Sequence, residues 1–198
     1  MKNKLSQEFI TYITDLIDCQ YEIKSAELKE HFHQYQTPLA RQLKICLNSI
    51  MLQYEKLQAE EKAGELRYIY FSFMRTSLFD GTPLYYLDFY DSRDRISETE
   101  CGAYWDFSYI TEAYREICVL VQEEFRNQTR VKEYESDSLI YDLAERFHTL
   151  AKEFLPAILA ECLDESDCLL PRDEDIQFMI GEYLDWVEPI VKKSRLTT

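Results

Sequence analysis

The sequence predicts a mainly α fold, α+β only by a small part of β: a single helical domain over residues 1–198, six or seven helices with one short antiparallel β-hairpin inserted near residues 84–99. Three observations predict it. Apolar residues recur at spacings of three and four through most of the chain. Alternation at a spacing of two is confined to one short stretch. No Pro/Gly/Ser-rich linker divides the 198 residues, a length at which one hydrophobic core is usual.

The first helix is expected over residues 4–20, where Leu5, Phe9, Tyr12, Ile13, Leu16 and Ile17 share a face and Ser6 is available as a cap. A shorter one, over 25–35, carries Leu28, Phe32 and Tyr35. Thr37-Pro38 reads as a cap followed by proline at the first helical position, so a third helix is expected from there to Ala63-Gly64, with Leu39, Leu43, Cys46, Leu47, Ile50, Tyr54 and Leu57 inward.

Residues 65–79 carry conflicting signals. Leu66, Ile69, Tyr70, Phe73 and Leu78 fit a helix, whereas the aromatic content and Asp80-Gly81 fit a hairpin; the spacing favours the helix. From Leu84 to Tyr90 the chain alternates, and Asp91-Ser92-Arg93-Asp94 reads as a turn, which gives the hairpin. Helical period returns after Trp105 with Ile110, Tyr114, Ile117, Val121 and Phe125, ending near Asn127. Another helix starts at Ser136 or Asp137, carries Leu143, Phe147, Leu150, Phe154 and Ile158, and is expected to kink at Pro156. A last helix is expected from Asp173, with Ile176, Met179, Ile180, Tyr183, Val187 and Ile190 on one side and the Lys192-Lys193-Ser194-Arg195 tail at its C-terminus.

Composition excludes several classes. The longest apolar run, Ile117 to Val121, is far short of a membrane span, and the N-terminal segment is amphipathic rather than a secretory signal. Six cysteines without a CxxC pair spell neither a zinc site nor a dithiol redox motif, so free thiols in a reducing cytoplasm are expected. A formal net charge of −15 repels nucleic acid and favours a basic protein as partner. The four glycines do not cluster, which leaves out Gly-rich phosphate loops and dinucleotide fingerprints, and no nucleophile elbow occurs. No cofactor is called for.

Two constellations remain. Glu30 with His33, and Glu145 with His148, form Glu-x-x-His pairs on separate helices, the spacing used by carboxylate-bridged metal bundles. Helical geometry sets Glu30 and His33 away from the apolar face, Glu145 opposite it and His148 at its edge, which suits a solvated surface better than a bundle core. His31 and His33, two apart, face different sides of a helix. The acids around Asp164 and Asp173 lack the spacing of a calcium loop.

The other constellation is the hairpin, where Tyr85, Tyr86 and Tyr90 interleave with Asp88, Asp91 and Asp94. Tyrosine offers rigid contact area and a hydroxyl, and aspartate complements a basic surface. These six residues are the expected partner-binding face. The function they suggest is that of a non-enzymatic acidic interaction protein, an inhibitor or immunity-type protein masking a basic partner; the alternative is a metal-carboxylate enzyme or sensor built on the two Glu-x-x-His pairs. A homo-oligomer stays open.

Overall fold

The computed structural model describes residues 4–78, 85–96, 99–128, 133–171, 175–183 and 185–190. Among these the chain forms α1 (Lys4–Ala59), β1 (Tyr68–Phe73), β2 (Tyr85–Tyr90), β3 (Gly102–Trp105), α2 (Ser108–Arg126), α3 (Asp137–Asp164), β4 (Gln177–Glu182) and β5 (Val187–Pro189), with 3-10 turns at Arg75–Leu78, Asp94–Ile96 and Glu133–Ser136. Three helices and a five-stranded mixed sheet replace the expected six or seven helices and one hairpin.

The three N-terminal segments are one continuous helix. Gln20 to Lys24 contains neither Gly nor Pro, so nothing in it stops the backbone ladder. Pro38 lies inside the helix instead of starting a new one. It cannot donate to the Gln34 carbonyl, a local cost offset by burial of Leu39, Ala40, Leu43 and Leu47 just beyond it. Helix α1 ends where Glu61 takes a left-handed φ of 57° and the amides of Lys62 and Ala63 turn back to the Leu57 carbonyl.

Helix α3 runs parallel to α1, since their contacts climb together: Asp18 with Arg146, Lys29 with Glu153, Phe32 stacked on Phe154, Thr37 with Glu161, and Lys44 with Glu165. Helix α2 runs the other way along α1, pairing Phe9 with Phe125, Lys24 with Glu116 and Tyr35 with Tyr109. Both α2 and α3 lie where the 3.6-residue period puts them, and α3 continues through Pro156 to Asp164.

The sheet order is β3-β2-β1-β4-β5, with β1 and β4 parallel and the other neighbours antiparallel. The inner face, Ile69, Phe71, Phe73, Tyr85, Leu87, Phe89, Trp105, Phe178 and Ile180, joins the helices in one continuous core. Tyr54 of α1 meets Phe89, and Phe107, just before α2, stacks on Trp105.

Two helices expected from periodicity are strands. The 65–79 stretch holds β1, the central strand, buried on both faces; such a strand loses the alternation that would distinguish it from a helix. The expected last helix is β4 and β5. Its stripe of Ile176, Met179, Ile180 and Val187 also satisfies a spacing of two through Ile176, Phe178 and Ile180, and the interior Gly181 and Pro189 are residues a helix disfavours. A Cβ on Gly181 would stand 2.1 Å from the Trp186 carbonyl oxygen, so the β4–β5 turn closes only over glycine.

The expected 84–99 hairpin holds in its first strand and turn but not in its second arm, which begins only at Gly102, and it is part of a larger sheet. Strand β2 pairs with β1 and β3, and 91–96 is a turn and a 3-10 segment between them. Asp80-Gly81, the Ser6 side chain, Asp173 and the Lys192–Arg195 tail lie outside the described residues.

Candidate functional site

Strand pleating sends alternate residues to the outer face of the sheet, where β1 contributes Tyr68, Tyr70 and Ser72, β2 contributes Tyr86, Asp88 and Tyr90, and β3 contributes Gly102 and Tyr104. Register brings the tyrosines together. Tyr70 and Tyr90 meet edge to face at 5.6 Å, Tyr86 and Tyr104 at 4.9 Å, and Tyr183, just after β4, closes on Tyr86 at 5.9 Å. These geometries are the favourable ones for aromatic quadrupoles.

Asp88 stands at the centre, only 4% exposed. It fits because its neighbour across the ladder is Gly102, where a Cβ would stand 2.6 Å from Asp88 Oδ1 and 2.9 Å from the Tyr86 ring. Burial pushes the Asp88 carboxyl up to about 7, with Arg95 pulling it down and Glu100 adding to the rise. The carboxyl is thus poised to change charge near neutral pH. Burial likewise raises the phenols of Tyr70, Tyr86, Tyr90 and Tyr183, Tyr86 to about 12.

Arg95 crosses this face. Its guanidinium lies 4.4 Å above the Tyr70 ring and its Nη1 donates to the Asp185 carbonyl at 2.9 Å, while its buried Nη2 has no hydrogen-bond partner among the described residues. Tyr70 donates its hydroxyl to Asp94 at 2.7 Å. The rim is exposed: Tyr104 is 59% accessible, and Glu100 and Ile96 also face solvent. The face thus sets aromatic π surfaces beside the exposed Glu100 and the buried Asp88, and Arg95 is the cation that packs on it.

Of the six residues expected to bind a partner, Tyr86, Asp88, Tyr90 and Asp94 are gathered here. Tyr85 is not; it points into the core and contacts His148. Asp91 is a buried staple, accepting from the Gly64 amide at 2.8 Å, the Arg93 amide at 2.9 Å and Arg93 Nη2 at 2.6 Å. Arg93 foremost, with those amides, lowers its carboxyl to about 2. Neither Asp88 nor Asp91 presents an open acidic surface, because both are buried inside the strand end and its turn. Tyr68, Tyr70, Arg95, Gly102, Tyr104 and Tyr183 joined the site only through sheet register, which the sequence pattern did not reveal.

The Glu-x-x-His pairs are separated. Glu30 and His33 are exposed, as the helical geometry indicated. His148 departs from that expectation: it is 1% exposed, stacked on Phe73 at 5.1 Å and hydrogen bonded through Nδ1 to the Tyr85 hydroxyl. Glu145 pairs with Arg75 at 3.0 Å. Since Lys29 is level with Glu153 and Phe32 with Phe154, His33 lies roughly 10 Å along the helix axis from the level of His148. No group of three metal-ligating side chains forms among the described residues. The acids after α3 are engaged too, Glu165 and Asp167 with Lys44.

No helix among the described residues is long and apolar enough to cross a membrane. Comparisons with protein-family models, with curated proteins and with solved structures found no match.

Proposed function

We propose that the protein is a non-enzymatic acidic binding protein that masks a basic protein partner in the cytoplasm, in the manner of an inhibitor or immunity-type protein. The observation that carries this reading is the outer face of the sheet, where Tyr86, Tyr90 and Tyr104 surround Asp88 beside Glu100. A lysine or arginine of the partner lays its stem on the exposed Tyr104 ring and sets its charge against Glu100. The −15 net charge speeds encounter with such a partner and disfavours nucleic acid. The metal-carboxylate alternative gains no support from two histidines on different levels, one exposed and one buried beneath Tyr85.

The test is capture from native lysate with tagged protein, eluted by rising salt, with Glu100→Lys plus Tyr104→Ala run beside wild type. These positions are chosen because Lys at Asp88 and Asp91 would report folding rather than binding. A basic protein held by wild type and weakened at least about tenfold by the double change is the expected result. Capture unaffected by the double change removes this face from the reading, and absence of any salt-released basic protein removes the reading itself.

A further inference from the structure

The antiparallel seam between α1 and α2 opens into a groove of about 560 Å³, lined on α1 by Leu28, His31, Tyr35, Pro38 and Gln42 and on α2 by Tyr109. A second hollow of about 390 Å³ shares Gln42 and Ser108 with it and carries the groove on past Ile45 and Tyr104. The two together follow one stripe of α1. Pro38 and Ile45 line it seven residues apart, Leu52 continues the same row beyond the second hollow, and Tyr35, Gln42 and Ser49 form the adjoining row.

Apart from Gln42 and Ser49, this stripe is apolar where a solvated helix face would be polar. Ile45 is 68% exposed, Leu52 51% and Tyr35 49%, and Tyr104 of β3 lines the second hollow with Ile45. Seven-residue recurrence of apolar side chains on one long helix is the pattern that receives another helix.

Charge selects the occupant. The lining acids are Glu27, Glu112, Glu116 and Asp106, against a single lysine among the described lining residues. That lysine, Lys24, is already tied to Glu116 at 2.5 Å and to Glu27 at 3.7 Å. A second copy of a chain carrying −15 meets like charge along this whole rim.

We infer that the α1–α2 groove docks a basic amphipathic helix of the partner, its apolar face on Tyr35, Pro38, Ile45 and Leu52 and its lysines or arginines over Glu27, Glu112 and Asp106. The inference rests on the reading of a basic partner and names the shape of the segment that binds. Tyr104 belongs to both the groove end and the sheet rim, so one partner spans the two.

The probe is a fluorescent synthetic peptide of about five helical turns, with leucine at heptad a and d positions and lysine elsewhere, compared by anisotropy with a scrambled peptide of the same composition. The ordered peptide is expected to bind at least about tenfold more tightly than the scrambled one, and to lose that margin on Ile45→Glu with Leu52→Glu. These side chains are exposed, and circular dichroism confirms that the variant is folded. Equal binding of the two peptides, or an unaffected variant, overturns the inference. So does self-association of wild type abolished by the same variant, which would make a second copy the occupant. Basic partner captured from lysate equally by wild type and the groove variant sinks the groove while leaving the sheet-face reading intact; a lysate that yields no basic partner at all removes that reading instead.

Discussion

The Tyr85 hydroxyl lies 2.9 Å from Nδ1 of His148, the polar link between β2 and α3 inside an otherwise apolar interface. With Tyr85 donating, the imidazole keeps its proton on Nε2, which is buried and has no partner among the described residues.

Burial lowers His148 to about 4 from its ordinary value of 6.5, Lys152 and Arg75 adding to the shift. A depressed histidine in the folded state means that the unfolded chain takes up the proton first as pH falls. Stability from this group is complete above pH 6.5 and is lost progressively between 6.5 and about 4, on the order of 3 kcal/mol in all. Urea unfolding across that window measures the slope. His148→Phe flattens it, and an unchanged slope in the variant would assign the acid loss elsewhere.

Asp88 has the opposite sign. Its folded value, about 7, lies above the ordinary 3.8, so its contribution is present below about pH 4 and lost as pH rises through 7. Asp88→Asn keeps the shape and cannot ionise. The variant should therefore gain on wild type from pH 4 to 8, reaching on the order of 4 kcal/mol, in paired thermal melts. A difference independent of pH would show that Asp88 ionises at no cost.

Asp91 joins the end of β2 to the chain after α1 through Gly64 and Arg93. Asp91→Ala leaves the Gly64 amide without its acceptor and Arg93 without its carboxylate, though still bonded to the Lys62 carbonyl, a loss of about 3 kcal/mol by denaturant titration. Its carboxyl, held near 2, gives stability that is present above about pH 4 and disappears as pH falls toward 2. Most of the difference between wild type and variant should disappear over that interval.

Pro38→Ala restores an amide donor to the Gln34 carbonyl in mid-helix. Packing of Leu39, Ala40 and Leu43 on the core already holds the helical path, so the gain should reach about 1–3 kcal/mol, seen as a higher Tm. A lower Tm would mean that the proline ring itself packs productively in the groove.

Helices α2 and α3 were legible because each is amphipathic, and periodicity reports a single buried face directly. Within α1 the same signal divides into three pieces, because Thr37-Pro38 has the form of a helix start although Pro38 is an interior residue. The site was half legible. Tyr86, Asp88, Tyr90 and Asp94 stand out by composition, but their partners Tyr70, Arg95, Gly102 and Tyr183 come from strands and turns up to the far end of the chain.

The sequence by itself determined the acidic charge, the amphipathic helices and the aromatic character of residues 68–105, since these depend on side-chain type and local spacing. Tertiary structure decided which apolar runs became strands, because the facing edges of β1 and β4 find their backbone partners only when Tyr68–Phe73 and Gln177–Glu182 lie side by side. It also decided that Asp88 and His148 are buried, for burial depends on what packs above a residue and not on its neighbours in the chain.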